Sequence, residues 1–192
     1  MRITGGMAGG RILKVPKGLD VRPTPDLVKQ AVFNSLGERV LSARVLELFA
    51  GTGALTLEGL SRGAASGVCV EKSSRHAAVM RQNIAASGLA NRPLEVRVQD
   101  VFPAIRQLAA ARAQFELILA DPPYGPKNIG KRSESFAQQL LDDPTLPLLL
   151  AEGGLFVLGH TKRDTLELTS AWRERKLMKH GDTVMRFFER NT

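Results

Sequence analysis

Five short runs of branched and apolar residues, spaced along the chain with helix-like stretches between them, constrain the fold more than any other feature. RVLELF (44–49), SGVCVE (66–71), LEVRVQ (94–99), FELILA (115–120) and GLFVLGH (154–160) read as buried strands. Residues 54–62 read as a helix ended by Gly63, and Ser73 or Ser74 can cap a second that runs to Ser87 before Gly88. Such alternation predicts a doubly wound, mostly parallel α/β sheet. Near the C-terminus WRERKLMK (172–179) and TVMRFFER (183–190) flank His180-Gly181-Asp182, the pattern of an antiparallel hairpin. Together these runs predict a seven-stranded sheet.

A chain of 192 residues suits one such domain and buries a core without staples. The first 42 residues differ from 43–192. They open with a Gly-rich, basic segment in which Ile3, Ile12, Leu13 and Val15 offer only short extended pieces and little core. A helix is expected to follow, capped by Thr24, with Pro25 in its first turn, Asp26 favouring its dipole and Gly37 ending it. Leu27, Val28, Ala31, Val32 and Leu36 would form its apolar face.

The lone Cys69 excludes an internal disulfide and a Cys-rich zinc site, and His76, His160 and His180 are too scattered to suggest a metal. No apolar run approaches the ~18 residues of a membrane span, and MRITGGMAGG has no secretory apolar core, so a cytoplasmic protein is expected. A formal net charge of +8 favours a polyanionic partner through counterion release. Aromatic residues are few, which disfavours broad base-stacking platforms.

Glu47-Leu-Phe-Ala-Gly51-Thr-Gly53 follows the first strand and opens a helix. Glycines there let a ligand approach the backbone at the strand carboxyl ends, where such sheets bind ligands. Glu71 ends the second strand, twenty residues after Gly51, where a carboxylate can accept two ribose hydroxyls. Asp100 follows the third strand, where it could hold an adenine amino group. A dinucleotide fingerprint needs Gly or Ala where this chain has Thr56, and Glu47 is a poor neighbour for a pyrophosphate but a good one for a cationic amino-acid group. This charge logic favours S-adenosylmethionine over NAD, with Glu47, Phe49, Gly51, Gly53, Glu71, Asp100 and Asp121 as its expected contacts.

Asp121-Pro122-Pro123-Tyr124 follows the fourth strand. An exocyclic base amino group is a poor nucleophile because its lone pair is delocalised. Asp121 and the Pro122 carbonyl could accept its two N–H bonds and stabilise the positive charge that grows on nitrogen during methylation. Pro122 and Pro123 stiffen the turn, and Tyr124 can stack on an extruded base. Cys69, inside a strand, is badly placed for covalent attack on a pyrimidine.

With these motifs the chain resembles the bacterial 16S ribosomal RNA guanine-N2 methyltransferases of the 966-type. The resemblance runs from I-T-G-G-x-x-x-G-R-x-L-x-x-P through Arg22-Pro-Thr24-x-Asp26-x-Val28 and Phe33-Asn34-x-Leu36 to the Glu47 motif, Glu71, Asp121-Pro-Pro-Tyr and the closing hairpin. It implies a Rossmann-like class I methyltransferase fold, S-adenosylmethionine, and methylation of one guanine N2 on assembling small subunits; a monomer is expected. Arg2, Arg11, Lys14, Arg22 and Thr24 of the N-terminal block, with Lys127, Lys131 and Arg132 after the catalytic motif, are the residues expected on RNA. Two other readings use the same residues: an adenine-N6 methyltransferase on DNA or RNA, and a non-catalytic RNA-binding assembly protein. The intact motifs argue against the last, and the short chain argues against sequence-specific DNA work.

Overall fold

A computed structural model of the chain describes residues 1–16, 24–125 and 131–191. Seven strands form one sheet: β1 (Arg44–Leu48), β2 (Ser66–Glu71), β3 (Leu94–Val98), β4 (Phe115–Ala120), β5 (Leu150–Thr161), β6 (Trp172–His180) and β7 (Thr183–Arg190). Their order is β3-β2-β1-β4-β5-β7-β6. The first five are parallel, whereas β7 inserts between β5 and β6 and runs antiparallel to both. The expected doubly wound, mostly parallel sheet with a closing hairpin is what the chain forms.

Strand alternation sorts side chains onto two layers. Leu117, Leu119, Leu155, Val157, Met185 and Phe187 face the layer holding α1 (Asp26–Leu36) and α2 (Ala54–Ser61). Ile118, Ala120, Phe156, Leu158 and Phe188 face the layer holding α4 (Val101–Ala110) and α5 (Phe136–Asp142). The remaining helix, α3 (Ser74–Ala86), is capped by Ser73, whose hydroxyl accepts the His76 N–H as expected. Each Leu or Phe so buried contributes on the order of 2 kcal/mol of transfer free energy.

Three local expectations change. In α1 the buried face is Val28, Lys29, Val32, Phe33 and Leu36, while Leu27 is 67% exposed. Thr24 does not cap that helix; Pro25 occupies the N-cap position and no side chain caps it. Most consequentially, the basic N-terminal segment is part of the core. Ile3 and Leu13 are buried in the same cluster as Val32 and Leu57. Residues 1–16 turn back on themselves through an Arg2–Ile12 bridge, with Ile3 N–H donating to Arg11 O at 2.9 Å. Ser61 fastens this turn to α2: its hydroxyl donates to Gly5 O (2.6 Å) and accepts the Ala8 N–H (2.9 Å). Ile12, by contrast, is 81% exposed.

Candidate active site

The order β3-β2-β1-β4 sets the carboxyl ends of the four motif-bearing strands side by side. Gly51 and Gly53 take left-handed backbone (φ 52° and 74°), which the tight β1–α2 turn requires and which glycine supplies without a steric penalty. Phe49 is also left-handed (φ 57°), an uncommon state for an aromatic residue and one that clusters at functional sites. Glu71 closes the turn from the β2 side. Its Oε2 accepts the Gly51 N–H and its Oε1 the Ser73 N–H, both at 2.8 Å, and His76 Nδ1 lies 3.5 Å from Oε1. A carboxylate offers about four lone pairs, so Glu71 retains acceptor capacity for two hydroxyls.

Glu47 has other work in this structure. Its side chain is buried, and its carboxylate accepts the N–H groups of Leu55 (3.3 Å) and Thr56 (2.8 Å) in the first turn of α2. Gly53 occupies the N-cap position and has no side chain with which to cap, so the acid one strand earlier does it. Burial raises the Glu47 carboxyl from its ordinary value of 4.5 to about 7, against the lowering effect of those donors. The folded chain therefore holds a proton on Glu47 that the unfolded chain releases at lower pH. Its contribution to stability is full below the unfolded value and is lost as pH rises through about 7. Wild-type stability against urea should fall through this group by about 2 kcal/mol between about pH 5 and about pH 7, and Glu47→Gln should flatten that slope. Equal slopes in the two proteins would remove Glu47 as its source.

Asp100 is likewise a helix cap. Its Oδ1 accepts the Phe102 N–H of α4 at 3.1 Å, and Lys72 Nζ lies 3.2 Å from Oδ2. Beyond it is a feature that no motif announces: the rings of Phe49 and Phe136 stand 5.2 Å apart and those of Phe102 and Phe136 6.4 Å apart. Phe136 is 41% exposed, so an aromatic edge borders the β1–α2 turn. No spacing rule joins these three positions; only the β4–α5 connection brings Phe136 to the other two.

Asp121 follows β4, and the bond holding it comes from the N-terminal segment. Thr24 Oγ1 donates to Asp121 Oδ2 at 2.5 Å. Oδ1 is buried and has no hydrogen-bond partner among the described residues. Burial raises the Asp121 carboxyl above its ordinary value, and the Thr24 bond opposes the rise. Tyr124 is 40% exposed, with its hydroxyl 3.0 Å from Thr183 Oγ1 at the start of β7. That tether steadies the ring without covering it.

The residues expected on RNA separate into four groups. Arg2, Arg11 and Lys14 are exposed or nearly so, on the packed N-terminal turn; Lys14 Nζ donates to Gln82 and its backbone is gripped by Asn83. Arg132 is paired with Asp142 (2.7 Å) and Glu167 (3.0 Å), and Lys131 beside it is exposed. Thr24, expected on the RNA surface, is buried with its hydroxyl on Asp121. Arg22 and Lys127 lie outside the described residues.

Residues 1–189 match the family described as Conserved hypothetical protein 95. Ribosomal RNA small subunit methyltransferase D of Escherichia coli is 36% identical over 124 residues, which are 65% of this chain and 60% of that protein. The aligned stretch is thus less than two thirds of that relative's length. Among solved structures, the Thermus thermophilus hypothetical protein TTHA0928 superposes with a TM-score of 0.79 at 29% identity, over 98% of this chain and 99% of that one. The putative methyltransferase yhhF of Escherichia coli gives 0.76 at 30%, over 99% and 97%. The family match spans the N-terminal turn, the glycine turn and the Asp121 motif alike, and the chain belongs to the Conserved hypothetical protein 95 family.

Proposed function

We propose that this chain transfers a methyl group from S-adenosylmethionine to the exocyclic N2 of a guanine in small-subunit ribosomal RNA. The observation that carries the reading is the Asp121-Pro122-Pro123-Tyr124 turn, set at the end of β4 beside the Gly51–Gly53 turn and holding a buried carboxylate whose one hydrogen-bond partner among the described residues is a hydroxyl. The name of the Escherichia coli relative supports the RNA class.

The residues present suit the cofactor. Glu71 would take the ribose hydroxyls and the Gly51–Gly53 backbone would lie against the nucleoside. The Phe49, Phe102 and Phe136 edge offers an apolar wall for the base. Bound there, the cofactor supplies an electrophilic methyl group on a cationic sulfur. The chain's own part is electrostatic. Asp121 and the Pro122 carbonyl would accept hydrogen bonds from the two guanine amino N–H groups, draw the lone pair out of conjugation and stabilise the positive charge that develops on nitrogen. As the N–CH3 bond forms and the sulfur–methyl bond breaks, one amino proton is lost, with Asp121 placed to take it. Tyr124, fixed through Thr183, would hold the base plane. Arg2, Arg11 and Lys14 would meet the RNA backbone, joined by Lys131, Arg22 and Lys127.

The test is mass spectrometry of nucleosides from small-subunit rRNA incubated with the protein and isotope-labelled S-adenosylmethionine. Labelled N2-methylguanosine is expected. Label in N6-methyladenosine, or none in the RNA, overturns the reading.

Glu71→Ala leaves the ribose hydroxyls poorly paired and frees the Gly51 turn, at roughly 1–3 kcal/mol. Calorimetry should therefore find S-adenosylmethionine binding weakened about tenfold or more, with Glu71→Gln intermediate. Unchanged affinity in Glu71→Ala would place the ribose elsewhere.

A further inference from the structure

The N-terminal segment reaches the proposed catalytic carboxylate itself. Thr24 stands 97 positions before Asp121, yet its hydroxyl makes the only hydrogen bond to that carboxylate found among the described residues. At 8% exposure Thr24 has little surface to offer RNA. On the far side of the carboxylate the wall is Gly159 of β5. A Cβ added there would stand 2.4 Å from Asp121 Oδ1 and 3.2 Å from Met185 Sδ of β7. The two oxygens are thus treated differently. One is held by a directional bond; the other is accommodated by the absence of a side chain and has no hydrogen-bond partner among the described residues.

An aspartate carboxyl turns easily about its last torsion, which is broad rather than three-welled. Among the described residues Oδ1 is unbonded, and the Thr24 bond is the one that sets the plane of the group. Threonine suits the task because its branched Cβ restricts χ1 and so fixes where the hydroxyl points. It takes about one of the four carboxylate lone pairs, leaving the others to a substrate. Thr24 is itself held in place. Asp26, two residues on, accepts the Arg2 N–H at 3.1 Å and pairs with Lys29 Nζ at 3.2 Å, so the start of α1 is moored to the N-terminal turn.

We infer that Thr24 is a positioning residue for methyl transfer: its hydroxyl orients the Asp121 carboxylate toward the reacting amino group, and through it the N-terminal segment completes the active site as well as facing RNA. This rests on the assignment of Asp121 to that amino group.

The test compares wild type, Thr24→Val and Thr24→Ser in two measurements. The first is single-turnover methylation of small-subunit RNA at saturating cofactor and RNA. Thr24→Val keeps the shape and loses the hydroxyl, and its rate should fall roughly 10- to 100-fold, as for loss of a hydrogen bond to a charged group. Half-saturating RNA and cofactor concentrations should stay within about threefold, and Thr24→Ser should recover most of the rate. The second is carbon-13 NMR titration of the Asp121 carboxyl. Among the described residues Thr24 and Gly159 lie against it and neither titrates, and the hydroxyl favours the ionised form. The carboxyl should therefore titrate at higher pH in Thr24→Val and return toward the wild-type value in Thr24→Ser. A wild-type rate in Thr24→Val, or a Thr24→Ser rate as low as that of Thr24→Val, overturns the inference. If wild type itself methylates no RNA, the functional reading has failed, and the titration judges Thr24 alone: an unmoved carboxyl in Thr24→Val overturns it.

Discussion

Asp121→Asn is expected to slow methyl transfer by roughly 10²–10³-fold at saturating RNA and cofactor, the scale of losing one preorganised electrostatic contact at a developing charge. The carboxylate serves the transition state more than the ground state, because positive charge appears on the amino nitrogen only as the methyl group moves. Its surroundings sharpen that role. Among the described residues Oδ1 is buried without a donor and Oδ2 has only the Thr24 hydroxyl, an arrangement in which a negative charge responds strongly to a cation beside it. Asparagine fills the same volume and keeps one acceptor, but it removes the charge and presents an amide donor where the substrate also donates. The fold should be unaffected, since the carboxylate makes no contact that an amide cannot replace: the Thr24 hydroxyl can donate to the new carbonyl. Circular dichroism should match wild type, and cofactor affinity by calorimetry should change much less than the rate. Single-turnover rates decide the matter, because saturation removes any binding defect. A rate within a few-fold of wild type would leave Asp121 as a turn residue.

Much of the fold is legible in the sequence, and the features of the candidate site that are not share one cause. Strand periodicity and the positions of Gly51, Glu71 and Asp121 at successive strand ends depend only on local pattern, and they locate the site on the sheet. What pattern does not reveal is the partner a polar side chain takes across the fold. Glu47 and Asp100 sit where a ligand acid would be sought, yet each has a helix N-terminus to satisfy. For Asp100 a local signal exists: an acid is a preferred N-cap, proline is tolerated in a helix only in its first turn, and Pro103 stands in the first turn of α4. For Glu47 the signal is the glycine at the N-cap, which obliges some other group to cap α2. Thr24 groups in sequence with its basic neighbours, whereas its bond is to a residue nearly a hundred positions away. The buried face of α1 is hidden for the same reason. Lys29 reads as a solvated charge until its counterions, supplied by its own helix and by α2, are known.

Those counterions make Lys29→Met the substitution with the largest expected effect on stability. Lys29 is fully buried. Its Nζ donates to Arg2 O and lies 3.2 Å from Asp26 Oδ1 and 3.7 Å from Glu58 Oε2. The Glu58 side chain is also wholly buried, and it accepts the Thr4 N–H and hydroxyl at 2.7 Å each and Arg62 Nε at 2.8 Å. Removing the ammonium leaves Glu58 with Arg62 as its remaining counterion in a site closed to water, and orphans the Arg2 carbonyl. Breaking one partner out of a buried pair in this way costs roughly 3–5 kcal/mol, more than the apolar methionine recovers by packing. Urea unfolding should show that loss. The network also joins the N-terminal turn to α1 and α2, so the variant's first 16 residues should become susceptible to protease while wild type resists. A truncation of residues 1–16 should accordingly fail by unfolding and not by loss of RNA contacts alone, because Ile3 and Leu13 leave the core with it. If Lys29→Met lost less than about 1 kcal/mol, a typical effect for a surface substitution, and kept its resistance, the ion network would be incidental and the N-terminal turn would be held by apolar packing instead.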